Sequence, residues 1–154
     1  MNILKVLTER RITGNFGEDA AAKHLKKHGY RILERNYVAL GNEIDIIAKS
    51  KDSLIFVEVK TRTVGHESEL ESRPAASVNY EKQRKIISAA SYYLSQNEYN
   101  PKLFGLNVRL DVIEVYIKTE NGKRKTDKIC HIEGAFRRDY EIYKHTRYQK
   151  RERK

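Results

Sequence analysis

The chain has 154 residues, enough for one domain with a hydrophobic core of its own. Hydrophobic residues make up 39% and charged residues 34%, and no run of 18 apolar residues occurs, which excludes an integral membrane protein. Lysine and arginine number 31 against 21 aspartate and glutamate, a formal net charge of +10. This charge favours nucleic acid or another polyanion as a partner, although an excess of surface lysine would give the same balance.

The number of cysteines and the first eleven residues indicate the cellular compartment of the protein. Cys130 is the only cysteine, so a disulfide within the chain is impossible and a reducing compartment is favoured. The stretch 1–11 lacks the apolar run of a secretory signal. We therefore expect a cytoplasmic protein without membrane attachment.

The predicted elements follow the order αβββαββ. Gly29 lies where a glycine commonly ends a helix, Lys51-Asp52 is turn chemistry, and Asn121-Gly122 is a strong hairpin signal. The elements are a helix over 14–28, strands over 30–38, 43–50 and 53–63, a helix from a cap at Ser77 or Asn79 to about Asn97, and strands over 108–119 and 125–133. Because a helix joins the third and fourth strands, we expect these two to be parallel and the sheet to be mixed.

Two acidic residues interrupt the apolar pattern of the second and third strands. With a two-residue turn between these strands, Asp45 lies opposite Glu58 and shares a face with it, and Glu43 lies opposite Lys60. The residues around them are apolar on both strand faces, which is typical of central, buried strands. Opposed carboxylates in such a place repel each other and lose hydration, so they need a proton, a cation or access to water.

The first helix supplies a third carboxylate. Glu18 falls on a narrow stripe with Ala21, Ala22 and Leu25, the face expected to pack on the sheet. The alternative is a first-turn glutamate that is stabilised by the helix dipole.

Three carboxylates beside a lysine fit a magnesium site. Mg²⁺ needs only one or two carboxylates together with waters and substrate phosphate. Glu18, Asp45 and Glu58 are the predicted ligands, with the backbone carbonyl of Val59 as a further one, and the ion and Lys60 could together activate water for attack on a phosphodiester. The alternative is a structural ion pair of Lys60 with Glu43 or Glu58.

These residues lie within blocks that resemble a known family. Asp45, followed thirteen residues later by Glu58-Val-Lys60, resembles the acid-then-ExK signature of the PD-(D/E)xK nuclease superfamily. The wider pattern over about residues 12 to 116 resembles the bacterial YraN family, through Gly14-Asn-Phe-Gly-Glu18, Gly29-Tyr-Arg-Ile-Leu-Glu-Arg-Asn36, Glu43-Ile-Asp-Ile-Ile-Ala48, Phe56-Val-Glu-Val-Lys-Thr-Arg62 and Leu110-Asp-Val-Ile113.

The resemblance implies a restriction-endonuclease-like α/β fold, a mixed sheet with flanking helices similar to archaeal Holliday junction resolvases. The resolvase pattern falls by position on Glu18, Asp45, Glu58 and Lys60, the same residues that break the apolar pattern. Ile44 replaces the proline of the motif, and Asn42 stands where a second glycine is usual. A homodimer is implied by analogy alone.

Further residues are candidates for nucleic-acid contact. Gln83 lies on the apolar stripe of the second helix, where it could bind phosphate or water, or bond the backbone instead. The tail over 137–154 holds eight basic and three acidic residues with interleaved tyrosines, and either binds phosphates and bases or is a solvated terminus. The candidates are Arg62, Gln83, Arg137, Arg138, Lys144, Arg147 and Tyr148.

Together these observations predict a nuclease-like domain over 1–136 and a basic, tyrosine-containing tail over 137–154. Asp45, Glu58 and Lys60 are the predicted catalytic residues. The predicted function is Mg²⁺-dependent hydrolysis of DNA phosphodiesters, with Mn²⁺ as a substitute ion and branched or damaged DNA as a candidate substrate. The alternative is a non-catalytic nucleic-acid-binding protein on a nuclease fold. We expect Asp111 to pair with Arg109 and the histidines to be structural or on the surface.

Overall fold

A computed structural model of the chain describes residues 2–64 and 78–137. These residues form two long helices, a short 3₁₀ helix and a five-stranded sheet in the predicted order αβββαββ. The elements are α1 (Ile3–Lys27), β1 (Arg31–Ala39), β2 (Asn42–Lys49), β3 (Ser53–Thr63), α2 (Tyr80–Gln96), the 3₁₀ helix Pro101–Leu103, β4 (Asn107–Glu120) and β5 (Lys123–Ile132).

Helix α1 begins eleven residues before the predicted start. The side chain of Asn2 caps it by accepting from the backbone N–H of Leu4 at 3.1 Å. Its first turns expose Ile3 and Leu7, so they lack the one-sided apolar pattern from which a helix is predicted. The end is as expected, because Gly29 follows with a φ of +85°.

The strands lie in the order β1-β2-β3-β4-β5, and β3 and β4 are parallel while the other neighbours are antiparallel. The mixed sheet that the sequence predicts is therefore confirmed. Both predicted hairpins form. Ser50 N–H donates to the carbonyl of Ser53 at 2.8 Å, and Asn121 and Gly122 both adopt positive φ.

Each face of the sheet is covered by one helix. Helix α2 packs through Ile86, Ile87 and Tyr93 on the face that carries Leu54 and Phe56 of β3. Helix α1 packs through Ala21, Ala22 and Leu25 on the face that carries Ile55 and Val57 of the same strand. Strand β3 is thus buried on both faces, as its apolar composition predicts.

Helix α1 approaches β3 closely at Gly17. A Cβ at this position would lie 1.9 Å from Thr61 Oγ1 and 3.0 Å from Thr61 Cβ. Only glycine fits there without movement of the helix or the strand. This contact places Glu18, the next residue, beside the sheet.

No helix within residues 2–64 and 78–137 is long and apolar enough to cross a membrane.

Candidate functional site

Strands β2 and β3 stop pairing at Asp45. Their register follows the predicted pairing from Lys49↔Leu54 to Ile46↔Val57, where the ladder ends. One step further, the N–H of Val59 donates to the Asp45 carboxylate at 2.7 Å. The carboxylate therefore lies between the two strands and binds the backbone of β3 with its side chain.

The neighbouring backbone is irregular at the same level. Ile44 packs on the α2 side of the sheet and Ile46 on the α1 side, although residues two apart in a regular strand share a face. In β1, Asn36 has a positive φ of 50°. This local distortion opens a gap between β2 and β3 that holds acidic groups reaching it from both sides of the sheet.

Glu58 is the second acidic group at this gap. It is only 5% exposed, and its Oε2 is buried with no hydrogen-bond partner in the described part of the chain. Burial and the adjacent Glu58 carboxylate raise the pKa of Asp45 to about 8, even though the hydrogen bond from Val59 opposes the rise. With this pKa, Asp45 is mostly protonated at neutral pH, so Asp45 and Glu58 together carry about one negative charge.

Two lysines approach the other Glu58 oxygen. Lys60 Nζ lies 3.5 Å and Lys82 Nζ 3.6 Å from Glu58 Oε1. Lys60 was a predicted site residue, whereas Lys82 reaches the site from the first turn of α2 and was not predicted. The ion pair of Lys60 with Glu58, one form of the structural alternative to a metal site, is thus present, but among the described residues the second Glu58 oxygen has no hydrogen-bond partner.

Glu18 reaches the gap from α1, on the opposite side of the sheet from Lys82. Burial raises the pKa of Glu18, Arg35 at 3.9 Å opposes the rise, and the carboxylates of Glu43 and Glu58 add to it. With the Asn36 amide turned so that its nitrogen faces the acids, that nitrogen is 3.1 Å from both Glu18 Oε2 and Glu43 Oε1. Glu18, Asp45 and Glu58 approach one another where the β2–β3 ladder ends. The side-chain alternation of β2 and β3 predicts instead that Asp45 and Glu58 share one face of the sheet.

The donor atoms fit Mg²⁺ better than an ion that needs many protein ligands. No group of three His, Cys, Asp or Glu side chains in residues 2–64 and 78–137 is arranged to hold a metal ion. Mg²⁺ keeps most of its waters and takes one or two carboxylates. Asp45 and the unpaired oxygen of Glu58 meet that requirement, while Glu18 and the carbonyl of Val59 remain predicted ligands.

Arg62 follows Lys60 on the same side of β3. Its Nη2 lies 3.5 Å from Glu114 Oε1, and its side chain is 17% exposed. Glu114 is fully buried and accepts a 2.6 Å hydrogen bond from the Tyr116 hydroxyl. This bond, with burial and the Glu114 charge, raises the pKa of Tyr116 to about 12. Arg62 therefore lies two residues beyond Lys60 on the same face of β3, and it pairs with a buried acid.

Two weaker candidates make structural contacts. Gln83 Nε2 donates to the carbonyl of Val78 at 2.9 Å, which is the backbone-bonding alternative, while its predicted role with nucleic acid stays a prediction.

Asp111 pairs with Arg109 as expected, at 2.8–2.9 Å through two nitrogens, and also with His131 at 2.8 Å. Burial would raise the pKa of Asp111, but hydrogen bonds from His131, Arg109 and Gly134 outweigh it and lower that pKa.

The predicted tail residues lie mostly beyond the described part of the chain. Arg137 is described and exposed. Arg138, Lys144, Arg147 and Tyr148 fall outside the described residues.

Three residues near the site were missed in the sequence: Asn36, Lys82 and Glu114. Only Glu114 carried a signal, since it is an acid within the apolar run of β4, as Glu58 is within that of β3. Lys82 and Asn36 are ordinary for a helix start and a strand, so their roles depend on the tertiary arrangement.

Comparison with known proteins gives a family without an assigned activity. The model of the "Uncharacterised protein family UPF0102" matches residues 17–115. A UPF0102 protein of Caldanaerobacter subterraneus subsp. tengcongensis is 39% identical over 130 residues, covering 82% of this chain and 96% of the relative. A UPF0102 protein of Clostridioides difficile is 43% identical over 126 residues, covering 80% and 95%.

Among solved structures, Pyrococcus furiosus SfsA in complex with Ca²⁺ is similar with a TM-score of 0.39 and 14% identity. The match covers 78% of this chain, and the chain spans 63% of the length of that protein.

Proposed function

Since this chain belongs to the uncharacterised protein family UPF0102, we propose its function from the chemistry of the Asp45 site: a Mg²⁺-dependent endonuclease that hydrolyses DNA phosphodiesters. Mn²⁺ is the proposed substitute ion. Branched or damaged duplex is the proposed substrate, and a homodimer is proposed by analogy alone.

The observation that carries the proposal is the close placement of two acids, Asp45 and Glu58, where the β2–β3 ladder ends. Within residues 2–64 and 78–137, one Glu58 oxygen is buried without a hydrogen-bond partner, and the pKa of Asp45 is raised to about 8. Leaving a buried carboxylate oxygen unpaired is costly, so a cation that binds here would relieve both groups at once. Mg²⁺ bound at this position would supply Lewis-acid stabilisation of the charge that develops on the phosphodiester.

The chain's own residues have distinct proposed roles. Asp45 and Glu58 would hold the ion. Glu18, which is not grouped with them as a ready metal site within the described residues, and the Val59 carbonyl are the further proposed ligands. Lys60, which is 35% exposed at its side chain, can reach a substrate while it stays 3.5 Å from Glu58. Its ammonium group would hold the attacking water or a phosphate oxygen in place, and Arg62 would bind a neighbouring phosphate.

The second candidate is a nucleic-acid-binding protein without catalysis. Lys60 and Lys82 both lie near Glu58 Oε1, so they partly neutralise the acids without a metal. In that case the cations alone would serve phosphate binding. The unpaired Glu58 oxygen favours the enzyme, because a binding module gains nothing from a buried acid without a partner.

The test combines metal binding with cleavage. Thermal melts with increasing Mg²⁺ or Mn²⁺ should show stabilisation that grows as RT ln(1 + [M]/Kd). A panel of single-stranded, duplex, flapped and four-way-junction DNA, incubated with each ion, should then give cleavage of at least one substrate. Stabilisation without cleavage would keep the metal site and refute the endonuclease. An absence of both would exclude the proposed metal site and favour the binding module.

A further inference from the structure

Four cationic side chains lie on the α2 side of the sheet, from the start of α2 across β3 to β5. We call them the cationic strip: Lys82, Lys60, Arg62 and Lys128. The side chains of Lys82 and Lys60 are 39% and 35% exposed, and Lys128 is exposed. The strip extends beyond the Asp45 site by the width of two strands, since Lys128 lies on β5 at the far side of β4.

A buried acid lies beneath each half of the strip. Glu58 holds Lys60 and Lys82 at about 3.5 Å. Glu114 pairs in register with Lys60 across the parallel strands and faces Arg62 at 3.5 Å. Both acids are buried and contact the cations from the sheet, while the side chains of Lys60 and Lys82 stay 35% and 39% exposed and that of Arg62 stays 17% exposed.

The part of the cationic strip around Glu114 continues to β5 through a chain of side-chain contacts. The Tyr116 hydroxyl donates to Glu114 Oε2 at 2.6 Å, and Lys128 Nζ lies 5.8 Å from the centre of the Tyr116 ring. Lys128 is opposite Tyr116 in the antiparallel ladder, so both project from the same side of the sheet. Arg62, Glu114, Tyr116 and Lys128 therefore form one layer.

A contribution to folding alone is a poor explanation for this layer. Glu114 is 0% exposed, and the Nε of Arg62 is buried with no partner among the described residues, so the ion pair is not fully satisfied there. Well-packed apolar residues commonly give as much stability as a buried pair of this kind. The arrangement instead places the Arg62 guanidinium against Glu114.

We propose that the cationic strip is a binding track for the phosphodiester backbone of nucleic acid, which extends from the Asp45 site to Lys128, and that Glu114 and Tyr116 are positioning residues that hold Arg62 in this track. The proposal rests on the proposed function in taking nucleic acid as the ligand. Phosphate is the group that a row of ammonium and guanidinium heads binds best, and such contacts carry no sequence preference.

The first test is the salt dependence of duplex binding by the full chain in EDTA, measured by fluorescence anisotropy. Each phosphate contact contributes about 0.9 to the slope of log K against log salt concentration. Lys128→Ala should reduce the slope by about one contact. Lys26→Ala, which removes the same charge from an exposed position on α1 at the other side of the sheet, should leave it unchanged. An unchanged slope for Lys128→Ala, or an equal loss for both variants, would overturn the track.

The second test separates positioning from general stability. Arg62→Ala and Glu114→Gln should each reduce the slope to a similar extent, and Glu114→Gln should cause no further loss of binding when Arg62 is already alanine. Additive losses in the double variant would overturn the positioning role. If Glu114→Gln does not fold, Tyr116→Phe removes only the hydroxyl donor and is measured in the same cycle, with the same two outcomes.

Both tests are made without a divalent ion, so they do not depend on cleavage. A chain that binds DNA through the strip but cleaves no substrate with Mg²⁺ or Mn²⁺ would refute the endonuclease and leave the track standing. If the chain cleaves DNA but the Lys128→Ala variant keeps the same salt slope, the endonuclease stands and the track is refuted.

Discussion

The backbone N–H of Val59 donates to the carboxylate of Asp45 at 2.7 Å, directly beyond the last paired residues of β2 and β3. This hydrogen bond keeps the acid between the two strands and beside Glu58. It also fixes one Asp45 oxygen, so that the carboxyl group presents a defined side to the gap. The bond is compatible with a neutral or a charged carboxyl group, since the acid accepts in both states.

Asp45→Asn should leave the metal-free protein at least as stable as the parent. The amide oxygen can still accept from Val59, while the free-energy cost of holding Asp45 protonated beside Glu58 is lost. With Mg²⁺ added, the parent should gain stability and the variant much less. Thermal melts with and without Mg²⁺ measure both effects.

Asp111→Asn is the matched control, since it also neutralises a buried aspartate that accepts a backbone N–H. It removes the charge that pairs with Arg109 and His131, so it should lower the free energy of unfolding by about 3–5 kcal/mol with or without Mg²⁺. The endonuclease proposal would be contradicted by the same metal-independent loss in Asp45→Asn.

The raised pKa of Asp45 predicts a pH dependence with a definite sign. Its folded value of about 8 lies above the usual value near 3.9 for an unfolded chain, so the folded state binds more protons between them. The free energy of unfolding should therefore fall as the pH rises from about 4 to about 8. Urea melts in EDTA over this range should show the decrease in the parent, and Asp45→Asn should lack that part of it.

The affinity for Mg²⁺ should depend on pH through the ionisation of Asp45. Because Mg²⁺ binds the charged carboxylate, binding below pH 8 should release about one proton and become tighter as the pH rises. Titration calorimetry in buffers that differ in ionisation enthalpy measures the number of protons released. A pH-independent affinity between pH 6 and 8 would show that Asp45 is not a ligand.

Lys60→Ala should separate metal binding from catalysis. The change removes one of two cations from Glu58, and Lys82 remains 3.6 Å from the same oxygen. Mg²⁺ affinity should therefore be kept or increased, while the cleavage rate should fall by about 10²–10⁴-fold, the usual cost of losing a positioned catalytic group.

Lys82→Ala is the matched control for this lysine, since it removes the second cation from the same Glu58 oxygen. It should preserve or strengthen metal binding in the same way, with a smaller loss of rate. Equal losses of rate in the two variants would assign Lys60 a purely electrostatic role shared with Lys82.

The basic tail should add affinity without sequence preference. If its eight basic residues neutralise about four to eight phosphates, log K should fall by about 0.9 per contact as log salt rises. A chain that ends at Phe136 should show a shallower slope with the same relative affinities for different sequences. An identical slope would assign the tail another role.

The close contact at Gly17 gives a test of the helix position. Gly17→Ala should destabilise the protein by about 1–3 kcal/mol, because its Cβ would overlap Thr61. Gly14→Ala, one turn earlier in the same helix, meets nothing within 4 Å and should stabilise by about 0.5–1 kcal/mol through helix propensity. Chemical denaturation of both variants measures the difference, and a gain in Gly17→Ala would show that α1 moves freely on β3.

Most of the fold was predictable because it depends on local patterns. Alternating and continuous apolar runs, turn residues and a crossover helix gave the element order, the pairing of β2 with β3 and the parallel pair β3–β4. The start of α1 was missed because its first turns have no buried face. The length of a helix that extends past the core is not encoded in a one-sided apolar pattern.

The sequence by itself determined which acids are out of place: Asp45 and Glu58 stand in strands that are otherwise apolar. Only the tertiary structure decided how they meet, because the end of the β2–β3 ladder and the irregular backbone at Asn36 depend on how the strands twist against both helices. The same holds for Lys82 and Glu114, which lie far along the chain from Glu58 and Arg62. Contacts of this kind are set by the packing of distant segments, which no local spacing in the sequence specifies.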